Sequence, residues 1–194
     1  NVILGYAETY RGGSPEETEM AAQRIREAGK RLLAFAEKER RIVDLLEEPE
    51  LRGPFDVCSE LRTVIAGFEE ATPEVRIDLQ CPQELAIATP SLTEAFVEVI
   101  DNAIVHADSA VPHVEITVER AGEDLIIAVA DTGPGIPAEE RRILAGEDIT
   151  PLLHGSGVGL WLVHHIVTQS AGSLSIRDRE PKGSVVEICV PVAS

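Results

Sequence analysis

The chain has 194 residues, of which 44% are hydrophobic. This suffices for one ordinary domain with a hydrophobic core, with or without a helical appendage, and excludes a disordered chain. The formal net charge of −17 argues against nucleic acid as a partner, because phosphate backbones bind basic patches. No apolar stretch is long enough to span a bilayer and no signal-peptide pattern opens the chain, so we expect no membrane contact by this segment.

The charged residues are unusual in kind as well as in number. The only lysines are Lys30, Lys38 and Lys182, while acidic residues number 34. A large acidic excess with little lysine predicts a surface adapted to high salt, in which dissolved ions screen the repulsion between like charges. An ordinary acidic domain is the alternative interpretation.

The cysteines form no recognisable framework. Cys58, Cys81 and Cys189 are scattered and odd in number, so neither a disulfide set nor a CxxC metal site follows from them. We therefore expect reduced thiols in a cytoplasmic protein.

Residues 1–50 predict a helical hairpin. Residues 1–10 have the pattern of a helix end, and after a Gly-containing turn Ser14 and Pro15 suit the N-cap and the first position of a second helix. This second helix extends to about Glu48 and repeats apolar residues at heptad-like spacing: Ile25, Ala28, Leu32, Phe35, Ile42 and Leu46. A hairpin this small cannot bury both faces alone, so we expect a homodimer formed through it.

Residues 54–194 predict a mixed α/β domain, because Pro49 and Pro54 interrupt the helical pattern. Turn residues at 121–122 and 181–183 predict that the last four strands form two hairpins. Ser91 with Glu94 has the pattern of a capping box. The predicted strands are residues 55–57, 75–79, 85–88, 114–119, 125–130, 174–179 and 184–190, and the predicted helices are 59–70, 91–107 and 157–171.

Polar side chains lie along one face of the helix predicted at residues 91–107. Glu98, Asn102 and His106 are spaced four residues apart and therefore share a face. An acid, an amide and an imidazole are costly to bury unless a polar group meets them, and a nucleotide phosphate chain with its cation is such a group. The amide oxygen of Asn102 suits Mg²⁺. A partly solvated polar stripe is the alternative.

The segment DTGPGI, residues 131–136, directly follows a predicted strand. Gly133 and Gly135 permit positive φ and close approach of the backbone to a ligand. Asp131, at the strand end, can accept a hydrogen bond from an exocyclic amine such as that of adenine. Because Asp, Gly and Pro are also common turn residues, a plain turn is the alternative.

The segment HGSGVGL, residues 154–160, leads into the helix predicted at 157–171. A Gly-rich turn at a helix N-terminus presents free N–H groups and the positive end of the helix dipole, which suits phosphate binding. It lacks the Lys-Ser/Thr pair of a Walker A loop and the preceding strand of a Rossmann fingerprint. A flexible loop before a helix is the alternative.

In this order, the three segments resemble the asparagine box and the two glycine boxes of the GHKL superfamily, which includes histidine kinases, heat-shock chaperone ATPases, DNA gyrase and mismatch-repair ATPases. The resemblance covers residues 55–194. It implies an α+β fold of the Bergerat type, a sandwich in which a mixed β-sheet is layered on helices, and it implies binding of ATP and Mg²⁺.

The same resemblance implies roles for individual residues. Asn102 would hold Mg²⁺ and Asp131 would bind the adenine amine. Glu98 resembles the general base of the hydrolytic branches and His106 the basic position near the phosphates, which makes both catalytic candidates. Ser184 stands where the family has a Thr near the adenine. The implied ATP-binding residues are Asn102, His106, Asp131, Gly133, Gly135, Ile136, Gly155, Ser156, Gly157, Val158, Gly159, Leu160 and Ser184.

The N-terminal segment favours the histidine-kinase branch. Residues 1–10 resemble the stretch after the phospho-acceptor histidine of sensor histidine kinases, which lies about two helical turns earlier. We therefore interpret the chain as a fragment: residues 1–50 are a partial dimerisation and phosphotransfer hairpin without its histidine, and residues 54–194 are the catalytic domain. The resemblance implies γ-phosphate transfer to a histidine outside this chain, a response regulator receiver domain as partner, and a cytoplasmic location. Residues 154–167 and the acidic composition look most like sensor kinases of haloarchaea.

Two other functions stay open, namely a non-catalytic, nucleotide-gated module that docks a response regulator or another kinase, and another GHKL ATPase. A serine kinase of the anti-sigma type is disfavoured, because those kinases lack a helical hairpin before the domain. The lid, residues 137–154, departs from the family because no phenylalanine follows Phe96, so the usual phenylalanine box is missing. Arg141 and Arg142 in this lid can reach a γ-phosphate, with a solvated helix face as the alternative.

Overall fold

The computed structural model describes residues 15–47, 51–82, 85–137, 141 and 157–193. The chain divides into two compact units, Asn1–Pro49 and Glu50–Ser194. In chain order the described elements are α1 Pro15–Glu47, β1 Gly53–Asp56, α2 Val57–Ala71, β2 Arg76–Gln80, β3 Leu85–Ala88, α3 Leu92–Val105, β4 His113–Ala121, β5 Asp124–Ala130, α4 Gly157–Gln169, β6 Ser173–Asp178 and β7 Ser184–Pro191.

The described part of the first unit is the long helix α1. It begins at Pro15, where proline is tolerated because the first helical N–H groups lack partners within the helix. Met20, Leu32 and Leu33 are 58%, 60% and 65% exposed, so α1 presents apolar side chains to its surroundings. The first arm of the predicted hairpin and the Ser14 cap lie outside the described residues. None of the described helices is both long and apolar enough to cross a membrane.

The second unit is built on a five-stranded sheet of order β2-β4-β5-β7-β6. β2 runs parallel to β4, and the other neighbours are antiparallel. Both predicted hairpins are confirmed: Ala121 pairs with Asp124, and Asp178 pairs with Ser184. Gly122 opens the first turn with a φ of 70°, which an L-residue rarely adopts. β1 and β3 form a separate antiparallel pair.

One face of the large sheet is apolar and carries helices. Ile116, Val129 and Val186 occupy one row of paired positions on β4, β5 and β7, and all three are buried. α3 and α4 pack against each other and against this face, with Phe96 and Ile166 fully buried. Along β4 and β5 these buried residues alternate with half-buried or exposed ones, which lie on the opposite face. This pattern is typical of a sheet that is solvated on one side. This two-layer arrangement confirms the predicted α/β sandwich.

Two local predictions about helix starts are corrected. The strand predicted through Val57 ends at Asp56, whose carboxylate caps α2 by accepting a 2.9 Å hydrogen bond from the Ser59 amide. Ser91 precedes α3 but makes no capping hydrogen bond through its side chain. Its φ of −63° and ψ of −8° are helical rather than extended, whereas a capping residue normally needs extended angles. Ser91 occupies the predicted N-cap position, but the capping hydrogen bond expected from its side chain is not formed.

The prediction of reduced thiols was wrong for two of the three cysteines. Cys58 and Cys81 form a disulfide with Cα atoms 5.9 Å apart, a usual separation. Cys58 lies fully buried in the first turn of α2, and Cys81 directly follows β2, so the bond ties the helix to the edge strand of the sheet. Cys189 is free, and burial raises the pKa of its thiol.

Candidate functional site

A pocket lies between α3, β5, β7 and the segment that follows β5. The empty space in it, including the part open to solvent, is about 540 Å³. Its lining residues are Val99, Asn102, Ala103, His106, Val129, Asp131, Pro134, Gly135, Ile136, Leu160, Ser184 and Val186. Seven of the residues proposed from the sequence therefore line one cavity, although they come from four separate stretches of the chain.

The walls of the pocket are largely apolar. Val99 comes from α3, and Val129 and Val186 are paired neighbours on β5 and β7. Apolar walls with a few polar groups are typical of small-molecule sites. These valines were not predicted as site residues from the sequence. Their only sequence signal is their spacing, since Val99 precedes Asn102 by one helical turn and Val129 precedes Asp131 by one strand repeat.

The main chain holds the carboxylate of Asp131 in place. Its Oδ1 accepts hydrogen bonds from the amides of Gly133, at 2.7 Å, and Ser184, at 3.3 Å. The Asp131 amide in turn donates to the carbonyl oxygen of Ser184, at 3.0 Å. No described residue donates a hydrogen bond to Oδ2. Oδ1 is thus fixed by the main chain, and Oδ2 is left available to a hydrogen-bond donor of a ligand in the pocket.

Ser184 is a buried hydroxyl without a protein partner. The residue is 1% exposed, and its Oγ has no hydrogen-bond partner among the described residues. Leaving a buried polar group unpaired costs about 1–3 kcal/mol. Because this hydroxyl lines the same pocket as Asp131, a polar ligand atom or a bound water is the natural partner for it.

The polar face of α3 reaches the pocket only in part. Asn102 and His106 line it, but Glu98, one turn earlier, does not, and Glu98 interacts with another group of the protein. α3 ends at Val105, so His106 caps the helix, with its amide donating to the Asn102 carbonyl oxygen at 3.1 Å. The structure therefore brings two of the three predicted side chains to the pocket.

The two glycines of residues 131–136 serve different purposes. Gly135 lines the pocket with a φ of 92°, a conformation that favours glycine. Gly133 is buried outside the lining, and a Cβ there would lie 2.7 Å from the carbonyl oxygen of His106. Gly133 therefore allows the segment after β5 to pack against the end of α3, which keeps Asp131 beside Asn102.

The second glycine-rich segment is described only from Gly157 onward. α4 begins at Gly157, Gly159 is buried, and Leu160 lines the pocket, so the first turn of α4 borders the cavity. Gly155 and Ser156 lie outside the described residues. The predicted phosphate contacts of Gly155, Ser156, Gly157, Val158 and Gly159 stay predictions.

The side chain of Arg141 contacts two groups of the described chain. Its Nε donates a 2.7 Å hydrogen bond to the Ile136 carbonyl oxygen, and its guanidinium pairs with Asp178. The hydrogen bond from Arg141 lowers the pKa of Asp178. A γ-phosphate contact of Arg141 stays a prediction, and Arg142 lies outside the described residues.

These features define a nucleotide-binding α/β sandwich. The family described as "Histidine kinase-, DNA gyrase B-, and HSP90-like ATPase" matches residues 88–194, more than half of the chain. The chain belongs to this family, and ATP is the ligand that its members share by description.

The similar proteins are histidine kinases and a nitrogen regulator. Nitrogen regulation protein NtrY of Azorhizobium caulinodans is 28% identical over 137 residues, which are 66% of this chain and 18% of that protein. Sensor histidine kinase ZraS of Escherichia coli is 33% identical over 79 residues, 41% of this chain and 17% of that protein. The chain thus matches less than a fifth of either relative.

The fold is also found in a solved histidine kinase. The crystal structure of histidine kinase ThkA in complex with response regulator protein TrrA has a TM-score of 0.76 to this chain at 19% identity, covering 99% of this chain and 57% of that one. At this identity the likeness establishes the fold, and it confirms the predicted fold class.

Proposed function

We propose that this chain is the ATP-binding catalytic part of a two-component sensor histidine kinase that transfers the γ-phosphate of ATP to a histidine. The observation that carries this proposal is the pocket in which the fixed carboxylate of Asp131 faces the same cavity as Asn102 and the unpaired hydroxyl of Ser184. The similarity to a sensor histidine kinase supports histidine as the acceptor of the phosphate.

Adenine suits the inner part of this pocket. Its ring would pack between the aliphatic walls formed by Val99, Val129 and Val186, which favour a planar apolar surface. Its exocyclic amine would donate to Asp131, whose Oδ2 lacks a donor among the described residues. The Ser184 hydroxyl would gain the partner it lacks, from a ring nitrogen or through a water.

The outer part of the pocket suits a phosphate chain with Mg²⁺. Asn102 offers an amide oxygen of the kind that Mg²⁺ accepts alongside phosphate oxygens and waters. When bound, the ion would neutralise charge on the transferred phosphate. His106, exposed at the rim, can donate a hydrogen bond to a phosphate oxygen. Glu98 does not line the pocket, which weakens its candidacy as a general base and disfavours a hydrolytic ATPase.

Transfer would depend on positioning, because phosphoryl transfer needs little covalent help from the protein. The acceptor would be a histidine of a dimerisation hairpin, and no histidine occurs in residues 1–50. The proposed partners are a second copy of this chain, through the exposed apolar side chains of α1, and a response regulator receiver domain. ThkA was solved with its response regulator protein.

A cytoplasmic location accompanies this proposal. The disulfide between Cys58 and Cys81 argues the other way, because cytosolic proteins seldom keep disulfides. A free-thiol count on protein quenched with acid directly from cells and then denatured tests the location. One thiol per chain would contradict a cytoplasmic location, and three would support it.

The net charge of −17 also leads us to propose that the protein is adapted to high salt, as proteins of haloarchaea are. Salt screens repulsion among surface carboxylates. The midpoint of thermal unfolding should therefore rise between low and molar KCl, and an unchanged midpoint would refute the adaptation.

A nucleotide-gated docking module is the second candidate, favoured by the lack of a histidine in residues 1–50. Incubation with γ-labelled ATP and Mg²⁺, with and without an added hairpin that carries a histidine, separates the two. The kinase proposal expects acid-labile, base-stable label on the added hairpin only. No label on either, together with receiver affinity that changes with nucleotide, would favour the module.

A further inference from the structure

Arg179 stands outside every motif of the sequence, yet it contacts the residue proposed to bind adenine. It follows β6 in the turn that leads to β7. Its side chain is 22% exposed, which is low for an arginine, because most surface guanidinium groups remain solvated. We propose that Arg179 is a positioning residue for Asp131 and thereby contributes to discrimination of adenine. This inference rests on the proposed function.

The guanidinium of Arg179 joins two groups. Its Nη1 donates to the main-chain carbonyl oxygen of Asp131 at 3.3 Å, and its Nη2 forms a 2.8 Å ion pair with Oε2 of Glu115. The planar fork of a guanidinium fixes the relative positions of two acceptors better than a flexible ammonium can. The Arg179 amide also donates to the Gly183 carbonyl oxygen at 3.1 Å, which anchors the arginine to its own turn.

Asp131 is consequently held at both main-chain polar groups. Its amide donates to the Ser184 carbonyl oxygen, and its carbonyl oxygen accepts from Arg179. Its carboxylate is then oriented by the amides of Gly133 and Ser184. Because β5 ends at Ala130, Asp131 lies beyond the last sheet pair, and the Arg179 contact replaces the support that a continuing strand would supply.

Glu115 holds the arginine in turn. It lies on the solvated face of β4, where its Oε1 is 3.9 Å from Nδ1 of His113. Nε2 of His113 lies 2.8 Å from Oδ2 of Asp78. Asp78 on β2, His113 and Glu115 on β4, and Arg179 therefore form a row of polar contacts, and Glu115 links Arg179 to it.

The chain offers a matched control for Arg179. Arg177 belongs to the same β6 end, is 59% exposed and pairs with Glu187 at 2.8 Å, between Nε and Oε1. Both arginines have a carboxylate partner on another strand of the sheet, Glu115 on β4 for Arg179 and Glu187 on β7 for Arg177. The described contacts of Arg177 do not include Asp131. Replacing Arg177 therefore removes a comparable charge and ion pair without removing the contact to the site.

The test compares ADP with inosine diphosphate, which lacks the exocyclic amine. Dissociation constants are measured by calorimetry at fixed salt for wild type, Arg179→Ala, Arg179→Lys, Glu115→Gln, Arg177→Ala and Asp131→Asn. We expect Arg179→Ala to weaken ADP by about fivefold, the effect of one net hydrogen bond, and to leave inosine diphosphate within about twofold of wild type. Arg179→Lys should recover part of the loss, Glu115→Gln should cause a smaller loss, and Arg177→Ala should change neither constant.

The inference is overturned if Arg179→Ala weakens both nucleotides equally or neither. If that variant fails to fold, Glu115→Gln and Arg179→Lys decide by the same criterion. Asp131→Asn tells the two proposals apart: if it leaves the preference for ADP intact, recognition of adenine by Asp131 fails. If it abolishes the preference while Arg179→Ala does not reduce it, only the role of Arg179 fails.

Discussion

Gly183 packs so closely against Asp131 that a side-chain carbon at position 183 would overlap the Asp131 carbonyl oxygen. Gly183 also has a φ of 119°, which other residues rarely adopt. We therefore predict that Gly183→Ala destabilises the domain by at least about 2 kcal/mol and weakens nucleotide binding by displacing Asp131. Urea unfolding and ADP titration measure the two effects.

Gly122 supplies the control for this prediction. It has a φ of 70° but nothing within 4 Å of an added Cβ, so Gly122→Ala introduces backbone strain without an overlap. We expect a loss of about 1 kcal/mol and unchanged ADP affinity. Equal losses in the two variants would mean that strain alone, and not contact with Asp131, explains the need for glycine at 183.

A helical glycine should behave in the opposite way. Gly67 lies inside α2 with nothing within 4 Å of an added Cβ. Gly67→Ala should therefore stabilise the domain by about 0.5–1 kcal/mol, because alanine loses less backbone entropy in a helix than glycine does. The midpoint of urea unfolding should rise at unchanged slope. A lower midpoint would contradict the open surroundings of this position.

Reduction of the Cys58–Cys81 disulfide should destabilise the second unit. A bond that closes a loop over a sequence separation of 23 residues contributes about 3 kcal/mol by restricting the unfolded chain. Unfolding in urea with and without a reductant measures this difference, and Cys189→Ser is the control that leaves the bond intact. Titration of the denatured, unreduced protein should yield one thiol per chain, whereas three would contradict the bond.

The pair formed by Trp161 and His165 should make tryptophan fluorescence sensitive to pH. The rings stack with centroids 5.4 Å apart and planes at 6°, and Trp161 is the only tryptophan of the chain. Burial, with a smaller effect from the charge on His164, lowers the pKa of His165. The midpoint of the fluorescence change with pH should thus lie below 6.5, the ordinary pKa of histidine. The fluorescence change itself should be absent in His165→Gln.

The same shift determines how stability depends on pH. The folded state favours neutral His165. The contribution of this residue to the free energy of unfolding is therefore complete above about pH 6.5, and it is lost as the pH falls from there through the lower pKa of the folded state. His164→Gln should raise the fluorescence midpoint by removing the neighbouring charge. A midpoint at or above 6.5 in the wild type would show that burial does not disfavour the imidazolium.

Periodicity and local turn chemistry predicted most of the fold. The strands β4 to β7 were expected because alternation of apolar residues and turn residues such as Gly122 are local signals, which depend only on residues close in sequence. The parallel pairing of β2 with β4 was not predicted, since nothing local specifies which distant strand an edge strand joins. The same limit hid the disulfide, whose cysteines meet only after α2 and β2 have packed.

Residues of the pocket were named from the sequence where unusual residue types occur in a recognisable order. Asn102 stood out because an amide on an apolar helix is costly to bury without a polar partner. Asp131 stood out because an acid at a strand end, followed by two glycines, can accept a hydrogen bond from a ligand amine. Arg179 gave no such signal, since its acceptors, Glu115 and a main-chain carbonyl, are determined by tertiary packing. Ser91 misled because the sequence contains a capping pattern, whereas the backbone at that residue is already helical.

The central claim is that Asp131 and Asn102 belong to one ATP·Mg²⁺ site, and calorimetric titration with ATP, with and without Mg²⁺, tests it most directly. We predict saturable binding of one nucleotide per chain. Asp131→Asn should weaken it at least about tenfold, as expected for a hydrogen bond to a charged group. Asn102→Ala should remove most of the gain from Mg²⁺ while sparing Mg²⁺-free binding. ATP affinity that is unchanged in Asp131→Asn, or a full Mg²⁺ effect in Asn102→Ala, would contradict the account.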